Sequence, residues 1–161
     1  MATLRVTHTE DIVLEGRQQG TTRTMRYDNI TDIFSRVISF AQGSNMVLYA
    51  TVSTHAEMVA GYVLDDGSVK YVRITSLGNE PVVIQVLGED DASDEMNFAY
   101  EIQPGQSFYL YNHQLCMRVD DTNDITTTEC RTSLVDIDQV KVVCPRGTGK
   151  IEIFAASTDS K

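Results

Sequence analysis

Apolar and polar residues alternate with a period of two along much of the chain. In residues 69–76, Val72 and Ile74 fall on one side of an extended backbone, and Arg73 falls on the other. Such alternation is typical of strands that bury one face or both. Three further segments alternate in the same way or are rich in β-branched residues: 82–88, 134–143 and 150–157. The pattern therefore predicts a protein built from strands.

Turn-forming residues separate these segments at short intervals. Asp66 and Gly67 form a hairpin pair, because both central residues of a type I′ turn require positive φ. In residues 103–106, Pro104 fixes φ at the second turn position and Gly105 can adopt the positive φ of the third. Many short strands with regular turns are typical of a sandwich or a barrel. We predict an all-β fold, an antiparallel, jelly-roll-like β-sandwich.

The first part of the chain differs from the rest. Residues 1–28 are polar and rich in Thr, which predicts an extended N-terminal arm with one or two edge strands. Residues 29–161 are expected to form a single sandwich domain, in keeping with the chain length of 161 residues. Within residues 29–41, helical spacing fits five apolar residues: Ile30, Ile33, Phe34, Val37 and Ile38. Residues 37–40 are β-prone, so we expect a short helical turn near 30–34, followed by a hairpin closed by residues 42–44.

Charge and cysteine content narrow the range of partners. The net charge is -10, from 13 basic and 23 acidic residues, which disfavours binding to nucleic acid or to an anionic membrane. No apolar stretch is long enough for a membrane helix, and the first residues do not resemble a secretory signal. Cys116, Cys130 and Cys144 are spaced too widely for a zinc site, and we expect reduced thiols.

The sequence contains no recognisable catalytic constellation. The nucleophile-elbow and zinc-protease motifs are absent, and the three histidines are scattered, so we expect no enzymatic activity and no cofactor. The acidic run at 88–95 is most simply a solvated loop, because it lacks the ligand spacing of an EF-hand. Calcium binding there is the alternative, with three candidate ligands: Asp90, Asp91 and Asp94.

The segment "EIQPGQSFYLYNH", residues 101–113, contains the most conspicuous candidate surface. After its turn, Phe108 and Leu110 fall on one face and are expected in the core. The opposite face carries a stripe that we take as a candidate interface: Tyr109, Tyr111 and His113. This stripe suits burial between two sheets, a protein interface, in which tyrosine is enriched, or stacking against carbohydrate.

Three segments resemble small virion structural proteins of tailed bacteriophages, especially marine ones. Residues 71–77 resemble a "YVRITNL"-like strand, residues 102–112 a "LEPGESFLLFN"-like turn and strand, and residues 151–157 a closing "VEVFVAS"-like strand. Residues 8–16 resemble the same proteins more weakly. The resemblance implies a β-sandwich subunit of a capsid or tail, made in the host cytoplasm. It supplies no catalytic residues.

The leading expectation is therefore a non-enzymatic virion protein that decorates the outer capsid shell as a capsid decoration or cement protein. It would be a homo-oligomer, with itself and the major capsid or tail proteins as partners. A tail or fibre-associated adaptor is the alternative within the virion. Two alternatives come from other functional classes. One is a carbohydrate-binding module, which would use Tyr109, Tyr111 and His113. The other is a diverged metal-binding enzyme of the cupin family.

Overall fold

A computed structural model describes six parts of the chain, and every structural statement below concerns them: residues 2–50, 69–89, 95–110, 117–118, 134–135 and 139–158. These parts are all-β and contain no helix, which confirms the predicted fold class. The strands are β1 Ala2–Glu10, β2 Val13–Leu14, β3 Arg17–Gln18, β4 Thr21–Ile30, β5 Asp32–Ala41, β6 Asn45–Ala50, β7 Val69–Ser76, β8 Val82–Glu89, β9 Glu95–Ile102, β10 Ser107–Leu110, β11 Met117–Arg118, β12 Leu134–Val135, β13 Gln139–Val143 and β14 Thr148–Ser157.

Two four-stranded antiparallel sheets contain most of these strands. Sheet I has the strand order β10-β7-β14-β5, and sheet II has the order β6-β13-β8-β9. Three smaller two-stranded ladders pair β1 with β4, β2 with β3 and β11 with β12. The predicted antiparallel pairing is thus confirmed, while the sandwich arrangement and the N-terminal arm stay predictions.

One buried cluster draws side chains from both four-stranded sheets. Because side chains alternate across a strand, each sheet directs every second residue into this cluster. Sheet I contributes residues of its two central strands: Val72, Ile74, Ile151, Ile153 and Ala155. Sheet II contributes residues of its own central strands: Val82, Ile84, Val86, Val140 and Val142. Burial of one such aliphatic side chain stabilises the fold by about 1.5–3 kcal/mol, so this cluster is the main source of stability.

Close packing at one edge of the core depends on a glycine. Gly149 in β14 lies directly opposite Phe40 in β5. A Cβ atom at position 149 would lie 2.4 Å from the Phe40 ring, so the ring fills the space that a side chain would need. The strand therefore accepts a glycine here because a neighbouring aromatic ring covers its backbone.

The predicted turn at residues 103–106 is confirmed in detail. Gly105 has a φ of 80°, and the Gln106 amide donates to the Gln103 carbonyl at 2.9 Å. These are the features of a type II turn with proline at its second position. The Gly105 amide also donates to the Ser76 carbonyl at 2.9 Å, which fastens the turn to the end of β7.

The expected helical turn at residues 30–34 is wrong, because residues 32–41 form strand β5. All ten residues of β5 pair with β14 in one continuous register, and this ladder overrides the helical spacing of the apolar residues. The expected hairpin after it is also wrong. Strands β5 and β6 do flank residues 42–44, but β5 pairs with β14 in sheet I and β6 with β13 in sheet II.

The chain changes ladders between β4 and β5. Asn29 has a φ of 61°, a left-handed conformation that asparagine tolerates better than most residues. The Thr31 amide donates to the Ser157 carbonyl at 3.0 Å, which ties the junction to the end of β14. The junction separates β4, which pairs with β1, from β5, which pairs with β14 in sheet I.

We predict that Ile74→Ala lowers the free energy of unfolding by about 3 kcal/mol, since it leaves a cavity in the centre of the shared core. Urea denaturation followed by tyrosine fluorescence measures the change. Ile12→Ala is the matched control, because Ile12 is exposed and its loss should change stability by less than about 0.5 kcal/mol. Equal effects of the two substitutions would contradict the assignment of Ile74 to the core.

Candidate functional site

The outer face of sheet I, which points away from the shared core, brings one predicted interface residue into a cross-strand row. Tyr109 in β10 lies opposite Arg73 in β7, and Arg73 lies opposite Phe154 in β14. Side chains directly opposite each other in an antiparallel sheet are in contact range. The row therefore places an arginine between two aromatic residues. Phe108 and Leu110, the neighbours of Tyr109 in β10, belong instead to the shared core, as the alternation predicts.

An ion pair lies in the middle of this face. Arg73 Nη2 donates to Glu152 Oε2, and both side chains are about one-third exposed, at 35% and 33%. The Arg73 guanidinium also lies 5.8 Å from the centroid of the Phe154 ring. Arg73 Nε is buried without a hydrogen-bond partner. The charges of Arg73 and Glu152 therefore balance each other at this point of the face.

A second cluster of buried residues lies on the same face, beside this row. Its centre is Tyr71, which is only 4% exposed, together with Ile30 and Ala156. The Tyr71 ring lies 6.0 Å from Phe154 and 6.5 Å from Tyr109, between ring centroids. Aromatic rings at these separations attract one another beyond the area they bury.

The β1–β4 ladder covers this second cluster. Leu4, Val6 and Tyr27 pack against it from the two strands of the ladder. The Tyr27 ring centroid lies 6.2 Å from that of Tyr71. Burial raises the pKa of the Tyr27 hydroxyl above its ordinary value of 10.0. Part of the aromatic face of sheet I is thus an internal contact with the N-terminal segment.

Tyr109 itself stands at the margin of the covered area. His8 in β1 meets its ring edge to face, with 4.9 Å between centroids and an interplanar angle of 83°. Tyr109 is therefore half-buried, and one side of its ring is occupied by the protein's own histidine. Neither His8 nor Tyr71 could be assigned to this face from the sequence, because their proximity depends on the pairing of strands far apart in the chain.

A charged group at the base of the ladder holds its two strands together. Asp28 Oδ1 in β4 accepts a hydrogen bond from Thr3 Oγ1 at 2.8 Å, across the ladder. It also accepts one from Arg26 Nε at 2.8 Å. The bond from Thr3, followed by the bond from Arg26, lowers the pKa of the Asp28 carboxyl below its ordinary value of 3.8. Both bonds favour the ionised carboxylate, which strengthens the ladder at neutral pH.

A second group of aromatic side chains lies where the edges of the two sheets meet. Phe98 and Tyr100 in β9 are exposed and stacked, with centroids 6.3 Å apart and an interplanar angle of 19°. Tyr100 also lies 5.8 Å from Phe108 in β10. Separately, an open groove of about 440 Å³ lies between the turn at 77–80 and the start of β14.

The other predicted site residues lie outside the described residues: Tyr111, His113, Asp90, Asp91 and Asp94. Among the residues that are described, no group of three or more His, Cys, Asp or Glu side chains could hold a metal ion. Within the same residues there is no helix long and apolar enough to cross a membrane. Cys144, the one cysteine in this part of the chain, is buried in the shared core.

Comparison with known proteins gives no relative. No protein-family model, no curated protein and no solved structure matches the chain. What the described residues form is therefore the direct guide to function. They form packed aromatic and aliphatic surfaces and include one ion pair, between Arg73 and Glu152.

The lowered pKa of Asp28 predicts a pH-dependent stability of the ladder. The ionised carboxylate contributes stability above pH 3.8, and this contribution is lost as the pH falls through the lower folded-state pKa. Thr3→Val should raise the pKa of Asp28 toward 3.8, since it removes the largest cause of the lowering, the hydrogen bond from Thr3. Carbon-detected NMR titration of the side-chain carboxyl measures this. Thr9→Val, which removes a Thr–Thr bond elsewhere in the ladder, should leave that pKa unchanged.

The second cluster predicts which strands respond to the loss of Tyr71. Tyr71→Ala should cost about 3 kcal/mol and speed amide exchange in β1 and β4 more than in β8 and β13, because the ladder loses its main packing partner. Hydrogen exchange with mass spectrometry resolves these segments. Tyr100→Ala removes an exposed tyrosine at the other edge of the fold and should leave exchange in β1 and β4 unaltered. Uniform acceleration throughout the chain would argue against a separate cluster.

Proposed function

We propose that this protein is a non-enzymatic structural subunit of a tailed bacteriophage virion, which decorates the outer shell of the capsid. The observation that carries the proposal is the position of the three segments that resemble phage virion proteins. Residues 71–77, 102–112 and 151–157 include the strands β7, β10 and β14. These three strands are neighbours in sheet I, in the order β10-β7-β14.

The matching segments also pack together through their side chains. Ile74 in β7 lies opposite Phe108 on one side and opposite Ile153 on the other. Ile74 and Ile153 are buried in the shared core, and Phe108 packs against it. Segments far apart in the sequence thus form one hydrogen-bonded unit. This supports a resemblance that reflects a common sheet rather than three unrelated strand patterns.

The finer fold that we propose is a jelly-roll sandwich, in which sheets I and II lie face to face over the shared core. Support comes from four short connections, each of which leads from one sheet to the other: β5–β6, β7–β8, β9–β10 and β13–β14. The resulting orders, β5-β14-β7-β10 and β6-β13-β8-β9, are those of an eight-stranded jelly roll. Capsid proteins and lectins both use this architecture, so the fold alone does not choose between them.

The charge of the chain favours the outside of the shell. A net charge of -10 would repel packaged DNA, whose phosphates attract basic proteins. An acidic protein on the outer surface avoids this repulsion. We therefore place the subunit outside the capsid or on the tail.

We propose that residues 1–28 act as the arm that contacts a neighbouring shell subunit. The β2–β3 hairpin at its far end turns through Glu15 and Gly16, both with positive φ. Next to this turn stand three consecutive exposed apolar residues: Ile12, Val13 and Leu14. Apolar side chains at the end of a polar ladder suit insertion into a pocket of a partner protein.

A carbohydrate-binding module is the second candidate, favoured by the lectin-like strand order and by Tyr109. Sugar stacking requires an open aromatic face, and His8 occupies part of the surroundings of Tyr109. The structural role is therefore the better supported one. Binding on a glycan array that Tyr109→Ala abolishes would favour the carbohydrate function instead.

The first test is the copy number of this chain in purified phage particles. We expect quantitative mass spectrometry to give a ratio to the major shell protein near one, or a simple fraction of one, as for a decoration protein spread over the capsid. A ratio of a few per cent would instead indicate the tail or fibre-associated adaptor. Absence of the chain from particles would refute both versions.

A further inference from the structure

We infer that strand β5 is a self-association edge, which pairs antiparallel with β5 of a second copy about a two-fold axis at Ser35. The inference rests on the proposed function in taking a second copy of this chain as the partner. It adds the surface, the residue register and the symmetry. Sheet I would then continue across the axis as an eight-stranded sheet.

The first argument is that β5 offers a long, regular and unpaired edge. Among the described residues, no strand pairs with β5 on the side away from β14. Its ten residues run against β14 without a register shift. The other edge strands of sheets I and II are shorter, with four residues in β10, six in β6 and eight in β9. A regular edge of this length is a ready template for another strand.

The second argument concerns the direction of the backbone groups. The Ile33 amide donates to its neighbour's carboxylate, Asp32 Oδ1, at 2.9 Å, so it does not point into the ladder with β14. The Leu77 amide donates to the Lys150 carbonyl at 2.8 Å, so the amides and carbonyls of the even-numbered residues of β14 point toward β7. The amides and carbonyls of the odd-numbered residues of β14 then point toward β5. These residues pair with even-numbered residues of β5. The odd-numbered residues of β5 are left to direct their amides and carbonyls outward: 33, 35, 37 and 39.

The third argument is that β5 is complementary to itself in one register. A two-fold axis at Ser35 places each Ile33 opposite Val37 of the second copy. Ile33 is 55% exposed and Val37 is 56% exposed, so both pairs would bury apolar surface that is now in water.

The same register also matches on the opposite face of the strand. Phe34 would lie opposite Arg36 of the second copy, and Arg36 already lies 5.4 Å over the Phe34 ring within one chain. Asp32 would lie diagonally across from the same arginine, within reach of its long side chain. A shift of the axis to residue 36 would instead place two arginines directly opposite each other, which is unfavourable. Charge complementarity thus favours the axis at Ser35 over an axis at residue 36.

The rest of the described chain leaves room for this partner. The β1–β4 ladder packs on sheet I through a cluster that includes residues of β7, β10 and β14, but none of β5. The ladder therefore packs on β7, β10 and β14, and it joins β5 at Thr31, at the start of that strand. A two-fold contact is also closed, because the edges of both copies are used up in one dimer. Self-pairing would protect β5 from uncontrolled addition of further strands.

A pair of cysteine variants tests the register directly. In a background with Cys116→Ser and Cys130→Ser, Ser35→Cys should form an intersubunit disulfide under mild oxidation. The two Cα atoms on the axis would be about 5.5 Å apart, within disulfide range. Ser39→Cys is the matched control, since it is exposed on the same face of the same strand. Its two copies would be about 27 Å apart at 3.4 Å per residue, so it should stay monomeric on a non-reducing gel.

A charge substitution tests the association without chemistry. Val37→Lys should weaken the dimer about tenfold or more in sedimentation equilibrium, because each copy would then face Ile33 with an ammonium group. Val13→Lys, at an exposed apolar residue far from β5 in the chain, should leave the dimer intact. Circular dichroism of each variant separates loss of pairing from loss of fold.

A monomeric wild-type protein, or equal cross-linking at positions 35 and 39, would overturn the inference. These outcomes are independent of the virion assignment. A monomer present in particles at shell stoichiometry would remove the β5 dimer and leave the proposed function in place. A cross-linked dimer that is absent from particles would do the reverse.

Discussion

The burial of β7 and β14 against β8 and β13 is the interaction on which the rest of the structure depends. Ile74 and Ile153, neighbours in sheet I, are almost completely buried in a cluster that also contains Ile84 and Val142 of sheet II. Each of these strands has partners on both sides, so its backbone groups are satisfied while its side chains leave water. The central strands therefore gain stability from pairing and from burial together. The edge strands can vary their outer side chains because this centre does not depend on them.

Strand β7, like β14, packs on both faces. Ile74 faces the shared core, while Tyr71 is buried on the opposite face beneath the β1–β4 ladder. A strand buried on both faces cannot slip by one residue without exposing one set of side chains and burying a charged one, Arg73. This constraint fixes the register of sheet I, and with it the row that contains Tyr109. The geometry of the candidate interface thus follows from the packing of the core.

Local patterns predicted those parts of the fold that depend on local chemistry. The strand at 69–76 and the turn at Pro104 and Gly105 are confirmed, because the strand period and the turn residues act within a few positions. The helical turn at residues 30–34 is wrong because their apolar spacing also suits a helix, and the ladder that decides the structure is formed with β14, more than a hundred residues away. The contact of His8 with Tyr109 was missed for the same reason. Residues brought together by strand register leave no local trace in the sequence.

In our proposal the strand edges, rather than a pocket, are where this fold contacts other molecules. A protein with a net charge of -10 repels its own copies at long range, so any association must come from a short, specific contact. Backbone pairing provides such a contact, because hydrogen bonds between strands are insensitive to net charge and act only in register. At β5 the exposed Ile33 and Val37 add apolar area to that pairing. At the far end of the β1–β4 ladder, Val13 and its neighbours offer apolar area without a long edge. The first surface suits a copy of the same chain, and the second suits a pocket on a different protein, a division of contacts that agrees with the shell-decorating role we propose.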